Sequence, residues 1–363
     1  MRHLELFSGI GGFRQAMNLL ALDGLMDFDN CGFSEIDTNA LRTYRAIYMP
    51  GYDEVDMGDI IAFTRDDEGL NERMNRLGNV DLLTGGFPCQ SFSMMGNQAG
   101  FEDEARGQMF FRILDVIDVK HPQYLLLENV KNLFTHDKKR TYQRIEAELR
   151  ARGYQVFPRI FNSSDFGLPQ TRNRVLIFAT RGAVPTGFDE HYTPQSVKEL
   201  FDANINDISP LRYKSTLDLL DLEVDQKYFL SDRIKPTILA DGSSNFKSNS
   251  EINLLIARPL TASMHKMHRA CQDNYYSQDW IISHGEYNPV YVCTKEELAR
   301  HEIRKLTPQE AFMLQGFPRD FATIAQNAGV PNGALYKQAG NAVSVNVIYA
   351  ILYYLIRNNV IHS

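Results

Sequence analysis

The 363-residue chain is long enough for one large domain or for two, and its composition (44% hydrophobic, 23% charged) is ordinary for a globular protein. Its apolar runs are too short to span a bilayer, its N-terminus lacks a signal-peptide layout, and its four cysteines are too far apart for a zinc cluster or a disulfide framework. These features exclude a membrane span and a cysteine-built metal site, so we expect a cytoplasmic protein without a metal ion.

The formal net charge of −7 hides one basic segment. Residues 131–181 carry 11 basic and 4 acidic side chains, a net charge of +7. A local positive field suits a polyanionic partner even on an acidic protein. A solvated helix face explains the same charges equally well.

The first 180 residues alternate short apolar runs with helical patterns. Strands are predicted at 3–7, 31–35, 80–84, 124–128, 154–160 and 175–180, and helices at 12–22, 107–119 and 139–152. Strands separated by helices of this length predict a mostly parallel, doubly wound α/β sheet. Ligands of such sheets bind beyond the carboxyl ends of the strands, which is where the unusual residues fall.

The pattern of strands and helices weakens between residues 182 and 303, where polar and turn-forming residues are frequent. Helical periodicity returns from residue 304 to the C-terminus. We therefore predict a catalytic and cofactor-binding domain at 1–182, completed by 322–363. A smaller, irregular domain is predicted at 183–321.

The stretch LFSGIGGF follows the first predicted strand and supplies Gly9, Gly11 and Gly12. Glycines there allow a tight turn and a close approach to a ligand, with a helix N-terminus behind them. Glu35 after the second strand could bind ribose hydroxyls, and Asp59 in MGDI, after a further short strand, could read an adenine amino group. The motif departs from GxGxxG because the third glycine is missing, which favours an adenosyl ligand without a pyrophosphate over NAD. A purely structural turn is the alternative.

Chemistry-bearing residues fall at the same strand edge. Cys89 in GFPCQSFS lies just past a strand, where a lowered pKa would make it a nucleophile, although a structural cysteine is equally plausible. Glu128 in LLLENV would end a strand with a carboxylate of raised pKa that can donate a proton, unless it caps a helix or forms a salt bridge. Arg172 and Arg174 in QTRNRV would point to one face and suit a phosphate or a base edge, unless they are a surface pair.

Six motifs in this order, LFSGIGGF, GFPCQSFS, LLLENV, QTRNRV, LTPQEAFMLQGFP and GNAVSV, resemble those of the DNA (cytosine-5-)-methyltransferases of bacterial or phage restriction-modification type. The resemblance covers residues 3–181 and 304–350. It implies a Rossmann-like, S-adenosylmethionine-dependent methyltransferase sheet, with a smaller irregular target-recognition domain in the remaining middle region.

The resemblance also implies a mechanism. Cys89 would add to carbon 6 of cytosine, and Glu128 would bind ring nitrogen 3 and the exocyclic amine. Carbon 5 would then accept the methyl group of S-adenosylmethionine, while Arg172 and Arg174 hold the base and the catalytic loop. The base must be flipped out of the duplex to be reached, and residues 91–105 would close behind it.

The same resemblance assigns the remaining contacts. The cofactor site would be formed by Phe7, Ser8, Gly9, Gly11, Gly12, Glu35, Ile36, Asp59, Ile60, Pro88, Asn341 and Ala342. Double-stranded DNA would be contacted by Ser91, Gln98, Arg258, Lys266, Arg269 and Gln272, and Asn274 offers an adenine-type reader. Cys271 and Cys293 are expected to be structural. We expect a monomer without an obligatory protein partner or a membrane.

Three other readings remain open. A tRNA cytosine-5 methyltransferase would share the fold and the nucleophile. A non-catalytic regulatory paralogue would bind nucleic acid only, although it would be expected to have lost Cys89, Glu128 or the arginine pair. An NAD-dependent oxidoreductase is disfavoured by the missing third glycine.

Overall fold

A computed structural model of the chain describes residues 1–88, 108–243, 246–247 and 250–362. The described residues form two compact units. The first unit comprises Met1–Asn162, Asn173–Pro210 and Val347–Ser363, and the second comprises Ser163–Arg172 and Leu211–Asn346.

A seven-stranded sheet organises the first unit. Its strands are β1 (Arg2–Leu6), β2 (Asp29–Ser34), β3 (Val55–Asp56), β4 (Leu82–Gly86), β5 (Tyr124–Val130), β6 (Gln155–Asn162) and β7 (Asn173–Thr180). They lie in the order β3-β2-β1-β4-β5-β7-β6. All neighbours pair in parallel except β7, which runs antiparallel to β5 and to β6. The predicted mostly parallel α/β sheet is confirmed.

Helices connect the strands of this unit. They are α1 (Gly12–Leu22), α2 (Thr38–Tyr48), α3 (Ile60–Phe63), α4 (Leu70–Arg76), α5 (Gln108–Lys120), α6 (Arg140–Ala151), α7 (Phe188–His191) and α8 (Pro194–Ala203). Apolar side chains of α3 to α6 pack with those of the strands into one buried cluster. Such burial is the main favourable term in folding. It fixes the strand ends, and therefore the loops that follow them.

The predicted strands and helices of the first 180 residues agree with the observed ones to within one or two residues, and helix α1 has the predicted bounds. The region after residue 182 is more regular than its composition indicated. Thr193 caps α8 by accepting a hydrogen bond from the backbone of Ser196, and Pro194 occupies the first turn, where its missing N–H costs nothing. The first compact unit therefore continues to Pro210, whereas the predicted domain boundaries stay a prediction.

The second unit is built from short elements. They are α9 (Lys235–Leu239), β8 (Gly242–Ser243), β9 (Phe246–Lys247), β10 (Tyr275–Ser277), α10 (Gln278–Ile282), α11 (Lys295–Leu298), β11 (Ile303–Lys305), α12 (Pro308–Met313), α13 (Arg319–Asn327) and α14 (Asn332–Asn341). Helix α15 (Val345–Arg357) follows α14. A small apolar cluster, which includes Leu239, Tyr275 and Ile303, forms a core of this unit.

The expectation that no apolar stretch is long enough to span a bilayer is wrong by length and composition alone: the segment Asn332–Arg357, which contains α14 and α15, passes that test with a mean hydropathy of 1.5. However, 89% of its apolar window is buried inside the protein, as in a core helix of a soluble protein.

Candidate active site

The turn after β1 has an unusual backbone. Phe7 (φ 54°), Gly9 (φ 56°) and Gly11 (φ 78°) all adopt the left-handed conformation. A bulky residue such as Phe7 rarely does so, and such outliers cluster at ligand-binding sites. The turn leads directly into α1, whose first N–H groups lack partners within the helix. This is a backbone shape that a ligand can approach closely.

The carboxylate of Glu35, at the end of β2, ties this turn to the neighbouring strand. Its Oε2 atom accepts a hydrogen bond from the backbone N–H of Gly9 at 2.8 Å. Its Oε1 atom accepts from the N–H groups of Ile36 (2.8 Å) and Asp37 (2.7 Å). The prediction that the glycine turn and Glu35 lie together at one sheet edge is therefore met by direct contact.

An aromatic residue that the sequence interpretation missed holds the same turn from behind. The hydroxyl of Tyr48 donates to the carbonyl oxygen of Gly11 at 2.8 Å. A Cβ atom added to Gly11 would lie 2.3 Å from the Tyr48 ring, so no other residue fits there without displacement. The Arg14 guanidinium lies 4.8 Å from the centroid of the Tyr48 ring and bonds to Glu54 (2.5 Å) and to the hydroxyl of Tyr44 (2.9 Å). Tyr48 and Arg14 thus hold the turn in place.

The other predicted cofactor residues of this unit differ in exposure. Ile36 is 72% exposed beside Glu35 and offers an apolar surface to a ligand. Asp59 is exposed and caps α3, whereas Ile60 is 2% exposed and belongs to the core. Ser8 and Gly12 are buried, and within the described part of the chain the Ser8 hydroxyl has no hydrogen-bond partner. A polar atom left in that state is costly unless a ligand satisfies it.

Strand β1 also carries two buried ionisable side chains that the sequence interpretation did not single out. Burial raises the pKa of Glu5 to about 8, although the positive charge of Arg14 and the backbone N–H groups of Phe13 and Arg14 act in the opposite direction. Burial lowers the pKa of His3 to about 4. Both side chains are therefore largely neutral near pH 7.

Glu128 and Arg174 form an ion pair at the edge of the sheet. The Nε atom of Arg174, on β7, donates to Oε1 of Glu128, on β5, at 2.9 Å. The side chains are 21% and 13% exposed, respectively, so the pair is only partly accessible to water. Glu128 also lies opposite Gly86, the last residue of β4. This is the salt bridge named above as the alternative for Glu128, and it holds the carboxylate next to the segment that leads to Pro88.

Asn129 fixes that segment and is a second residue that was missed. Its Nδ2 group donates to the carbonyl oxygen of Phe87 at 2.9 Å, and the side chain is 2% exposed. The adjacent Pro88 is exposed and is the last residue described before the gap at 89–107. The predicted nucleophile Cys89 and the predicted DNA contacts Ser91 and Gln98 lie outside the described residues.

Arg172 has different contacts from Arg174. Its side chain is 2% exposed and belongs to the second unit. The guanidinium donates to the carbonyl oxygens of Leu260 (3.0 Å), Gly340 (3.1 Å) and Ala342 (2.8 Å). Arg172 therefore holds two backbone segments together, and the prediction that it acts on the base stays a prediction.

The side chain of Gln170, two residues earlier, reinforces this arrangement. It accepts from the N–H of Leu260 at 2.8 Å and donates to the carbonyl oxygen of Leu314 at 2.9 Å. Asn341 ends α14 with an exposed side chain, and Ala342 follows it. The residues of the QTRNR motif therefore have different roles. Gln170 and Arg172 join backbone segments of the second unit, and Arg174 orients Glu128.

Two predicted DNA readers in the segment 257–275 make contacts within their own chain, and their contacts with DNA stay a prediction. Arg269 forms an ion pair with Asp273 at 2.7 Å and donates to the hydroxyls of Thr261 (2.6 Å) and Ser263 (3.1 Å). The Asn274 side chain accepts from the N–H of Arg258 at 2.8 Å and donates to its carbonyl oxygen at 3.0 Å. Both side chains therefore shape the segment.

The other predicted DNA contacts of this segment are more accessible. Lys266 and Gln272 are exposed, and Arg258 is half-buried, with its guanidinium donating to the carbonyl oxygen of Glu251 at 2.9 Å. No group of three or more His, Cys, Asp or Glu in the described ranges is placed to hold a metal ion. Cys31 is buried, and burial raises its pKa to about 11, as expected of a structural thiol.

The family model of the C-5 cytosine-specific DNA methylases matches residues 1–357. The chain belongs to this family. It is a DNA (cytosine-5-)-methyltransferase of the restriction-modification type, as the motif resemblance predicted.

Named relatives agree with this assignment. The chain is 34% identical over 349 residues to the type II methyltransferase M1.ScrFI of Lactococcus lactis subsp. cremoris, which covers 96% of this chain and 76% of that protein. It is 33% identical over 353 residues to the type II methyltransferase M.NgoBI of Neisseria gonorrhoeae, covering 96% and 90%, respectively. The orphan methyltransferase M.SPRI of Bacillus phage SPR is 26% identical over 443 residues, covering 98% and 97%.

Solved structures confirm the Rossmann-like fold. The S. pombe Dnmt2 methyltransferase superposes with a TM-score of 0.70 at 19% identity, covering 98% of both chains. The Entamoeba histolytica methyltransferase EhMeth gives 0.68 at 18% identity, covering 99% of this chain and 98% of that one. At these identities the likeness concerns the fold alone.

Proposed function

We propose that this methyltransferase acts on carbon 5 of cytosine in a specific sequence of double-stranded DNA, by a covalent adduct of Cys89 with a flipped-out base. The observation that carries the proposal is the Glu128–Arg174 ion pair, held beside the strand that leads to Pro88. Addition to a cytosine ring needs a nucleophile and a carboxylate, and Cys89 directly follows Pro88 in the sequence.

S-adenosylmethionine would bind at the glycine turn and supply the electrophilic methyl group. The residues fit an adenosyl ligand: Glu35 presents a carboxylate where ribose hydroxyls can donate to it, and exposed Ile36 lies next to it as an apolar surface for the adenine. Asp59 would read the amino group of the adenine. The buried Ser8 hydroxyl is a polar atom that a ligand could satisfy.

The remaining predicted contacts complete this site. Pro88 and Ala342 would add apolar surface, Asn341 would bind the methionine end, and Phe7, Gly9, Gly11, Gly12 and Ile60 would shape the cradle.

In the reaction, the Cys89 thiolate forms a bond to carbon 6, and the electron pair of the 5,6 double bond moves towards carbon 5. Glu128 binds ring nitrogen 3 and the exocyclic amine, which stabilises the charge that develops on the ring. Arg174 holds the Glu128 carboxylate in place through the 2.9 Å contact. After methyl transfer, loss of the carbon-5 proton and release of Cys89 restore the aromatic ring.

The base must leave the helical stack before a thiol can reach carbon 6. Residues 91–105 would close over it and exclude water, with Ser91 and Gln98 contacting the DNA. Arg172 would support the base and this loop indirectly, through the backbone segments that it joins. Arg258, Lys266, Arg269 and Gln272 would contact the DNA, within a target-recognition domain at 183–321.

The cellular setting follows from the same assignment. An enzyme that modifies the DNA of a bacterium or a phage works in the cytoplasm, and we expect it to act as a monomer without an obligatory protein partner.

Transfer of a labelled methyl group from S-adenosylmethionine to mixed-sequence duplex DNA and, separately, to tRNA tests the substrate. We expect label on DNA only, and none with the Cys89→Ala variant. Cys271→Ala is the matched control, because it removes another thiol and should leave transfer intact. Label on tRNA alone would overturn the DNA assignment, and full activity of Cys89→Ala would overturn the nucleophile.

The covalent step has its own readout. A duplex with 5-fluorocytosine at the target cannot lose the substituent on carbon 5, so the adduct should accumulate and survive denaturing electrophoresis. We expect a stable protein–DNA band with the wild type and none with Cys89→Ala. If active wild-type enzyme gave no such band, methylation would proceed without the adduct.

A further inference from the structure

A small pocket of about 30 Å³ lies in the second unit, and none of its lining residues was assigned above to the reacting base or the cofactor. It is lined by Met264, His268, Asp273, Asn274, Tyr275, Lys305, Leu306 and Tyr336. Five of these residues belong to the segment 257–275, which was predicted to approach DNA. The other three come from the end of β11, the residue after it, and α14.

Lys305 brings an uncompensated charge to this pocket. It is half-buried, and burial lowers its pKa. Within the described ranges no carboxylate lies close enough to form an ion pair with it. Its Nζ atom lies 5.3 Å from the centroid of the Tyr336 ring, whose hydroxyl donates to the carbonyl oxygen of Leu306 at 2.5 Å. A cation held over an aromatic face, rather than by an acid, remains able to bind an anion.

The carboxylate in the pocket does not neutralise this lysine. The two Asp273 oxygens accept from the side chain and the backbone N–H of Arg269, and Oδ2 also accepts from the hydroxyl of Tyr275 at 3.4 Å. Burial lowers the pKa of Lys305, and among the described residues no carboxylate forms an ion pair that would oppose this shift. Asp273 and Arg269 cancel each other, so the spare charge of the pocket is the single positive charge of Lys305.

We propose that Lys305 binds a backbone phosphate of the DNA strand in this pocket. The inference rests on the proposed function, since it assumes that DNA is the substrate. A phosphodiester carries one negative charge, which matches the one spare charge of the pocket. A lysine ammonium binds phosphate as a point charge and reads no base, so Lys305 positions the strand without choosing its sequence.

The matched control is Lys295, another lysine of the second unit. Lys295 already forms an ion pair with Asp241 at 2.5 Å. Replacing either lysine with methionine removes one positive charge and keeps an unbranched side chain that is one heavy atom shorter. The two variants therefore change the net charge equally and differ in whether the lost ammonium was compensated.

The test is duplex binding at several salt concentrations, with wild type, Lys305→Met and Lys295→Met. The slope of log affinity against log salt is negative, and one lost phosphate contact decreases its magnitude by about 0.9. We expect this decrease for Lys305→Met on cognate and non-cognate duplexes alike, together with weaker binding at low salt. Lys305→Arg should restore the slope, Lys295→Met should match the wild type, and cofactor affinity should not change.

Other outcomes separate the possible failures. Equal slopes for Lys305→Met and Lys295→Met, on duplex that the wild type binds and methylates, would overturn the phosphate site alone. Loss of cofactor affinity and of thermal stability in Lys305→Met, with the wild-type slope retained, would assign Lys305 to the fold instead. A wild type that binds no duplex would overturn both this inference and the proposed function.

Discussion

The glycine turn at residues 7–12 and the segment 257–275 were both predicted to contact a ligand, but their side chains do different work. In the turn, the backbone groups of Gly9 and Gly11 are held by hydrogen bonds to Glu35 and Tyr48. In the segment, the predicted reader Arg269 is engaged by neighbours within its own unit. A motif that works through backbone shape is thus easier to predict than one that works through side-chain direction.

The prediction with the largest expected effect concerns Glu5, on strand β1 directly before the turn. Its pKa is about 8 in the folded protein and near 4.5 when unfolded, so the folded state holds the proton more tightly. The free energy of unfolding should then fall as pH rises from 4.5 to 8, by about 4 kcal/mol in total. Glu5→Gln does not titrate and should lose this dependence.

Urea unfolding at pH 5, 7 and 9 checks this prediction. The free energy of unfolding of Glu5→Gln should increase relative to that of the wild type from pH 5 to pH 7 and again from pH 7 to pH 9. If the free energies of unfolding of the wild type and of Glu5→Gln changed with pH in parallel, Glu5 would be ionised in the folded protein. A buried negative charge would then lie on the strand that precedes the turn.

A pair of glycine variants tests the turn itself. In Gly11→Ala the new methyl group would meet the Tyr48 ring at 2.3 Å, whereas Gly9→Ala meets nothing within 4 Å. In both variants the alanine must adopt a left-handed backbone conformation, which lowers the free energy of unfolding by about 1–2 kcal/mol. Gly11→Ala adds an overlap of about 1–3 kcal/mol and should weaken cofactor binding more strongly.

Thermal unfolding and calorimetric binding of S-adenosylmethionine compare the two variants. The double variant Gly11→Ala, Tyr48→Ala should cost less than the sum of the single changes, because the overlap is removed. Additive effects would mean that the turn tolerates a methyl group at Gly11 and that Tyr48 does not shape it.

In the segment 257–275, a variant of Arg269 and a variant of Lys266 provide the corresponding comparison. Arg269→Ala leaves Asp273 without its guanidinium partner and should destabilise the protein by about 1–3 kcal/mol. Lys266 is exposed, so Lys266→Ala should change stability by less than about 0.5 kcal/mol while lowering the salt dependence of DNA binding. Denaturation and salt-dependent binding of both variants measure the two effects. Equal stability losses would contradict the structural role of Arg269.

These contrasts explain what could be predicted from the sequence. The strands, α1 and the position of Glu35 followed from hydrophobic periodicity and spacing, because those patterns are local. Tyr48 and Asn129 were missed since each acts on a backbone carbonyl distant in the chain, at Gly11 and Phe87, and no local pattern marks such a partner.

Arg172 shows the same limit within a recognised motif. The spacing of QTRNR indicated two arginines on one face, yet only the three-dimensional contacts show Arg172 bound to the carbonyl oxygens of Leu260, Gly340 and Ala342. The type of a side chain is read from the sequence, whereas its partners depend on the fold.

The smallest expected effect concerns the hydroxyl of Tyr48. Tyr48→Phe keeps the ring that limits Gly11 and the surface on which Arg14 stacks, and it removes only the 2.8 Å hydrogen bond to the Gly11 carbonyl. Losing that bond costs about 1 kcal/mol, which corresponds to roughly fivefold weaker cofactor binding if the bond holds the turn in its binding shape. The KM for S-adenosylmethionine should rise while kcat and DNA affinity stay unchanged, because Tyr48 acts through the turn. If kcat fell instead at an unchanged KM, the turn would be shaping the methyl-transfer step, and its contrast with the segment 257–275 would lie in chemistry as well as in binding.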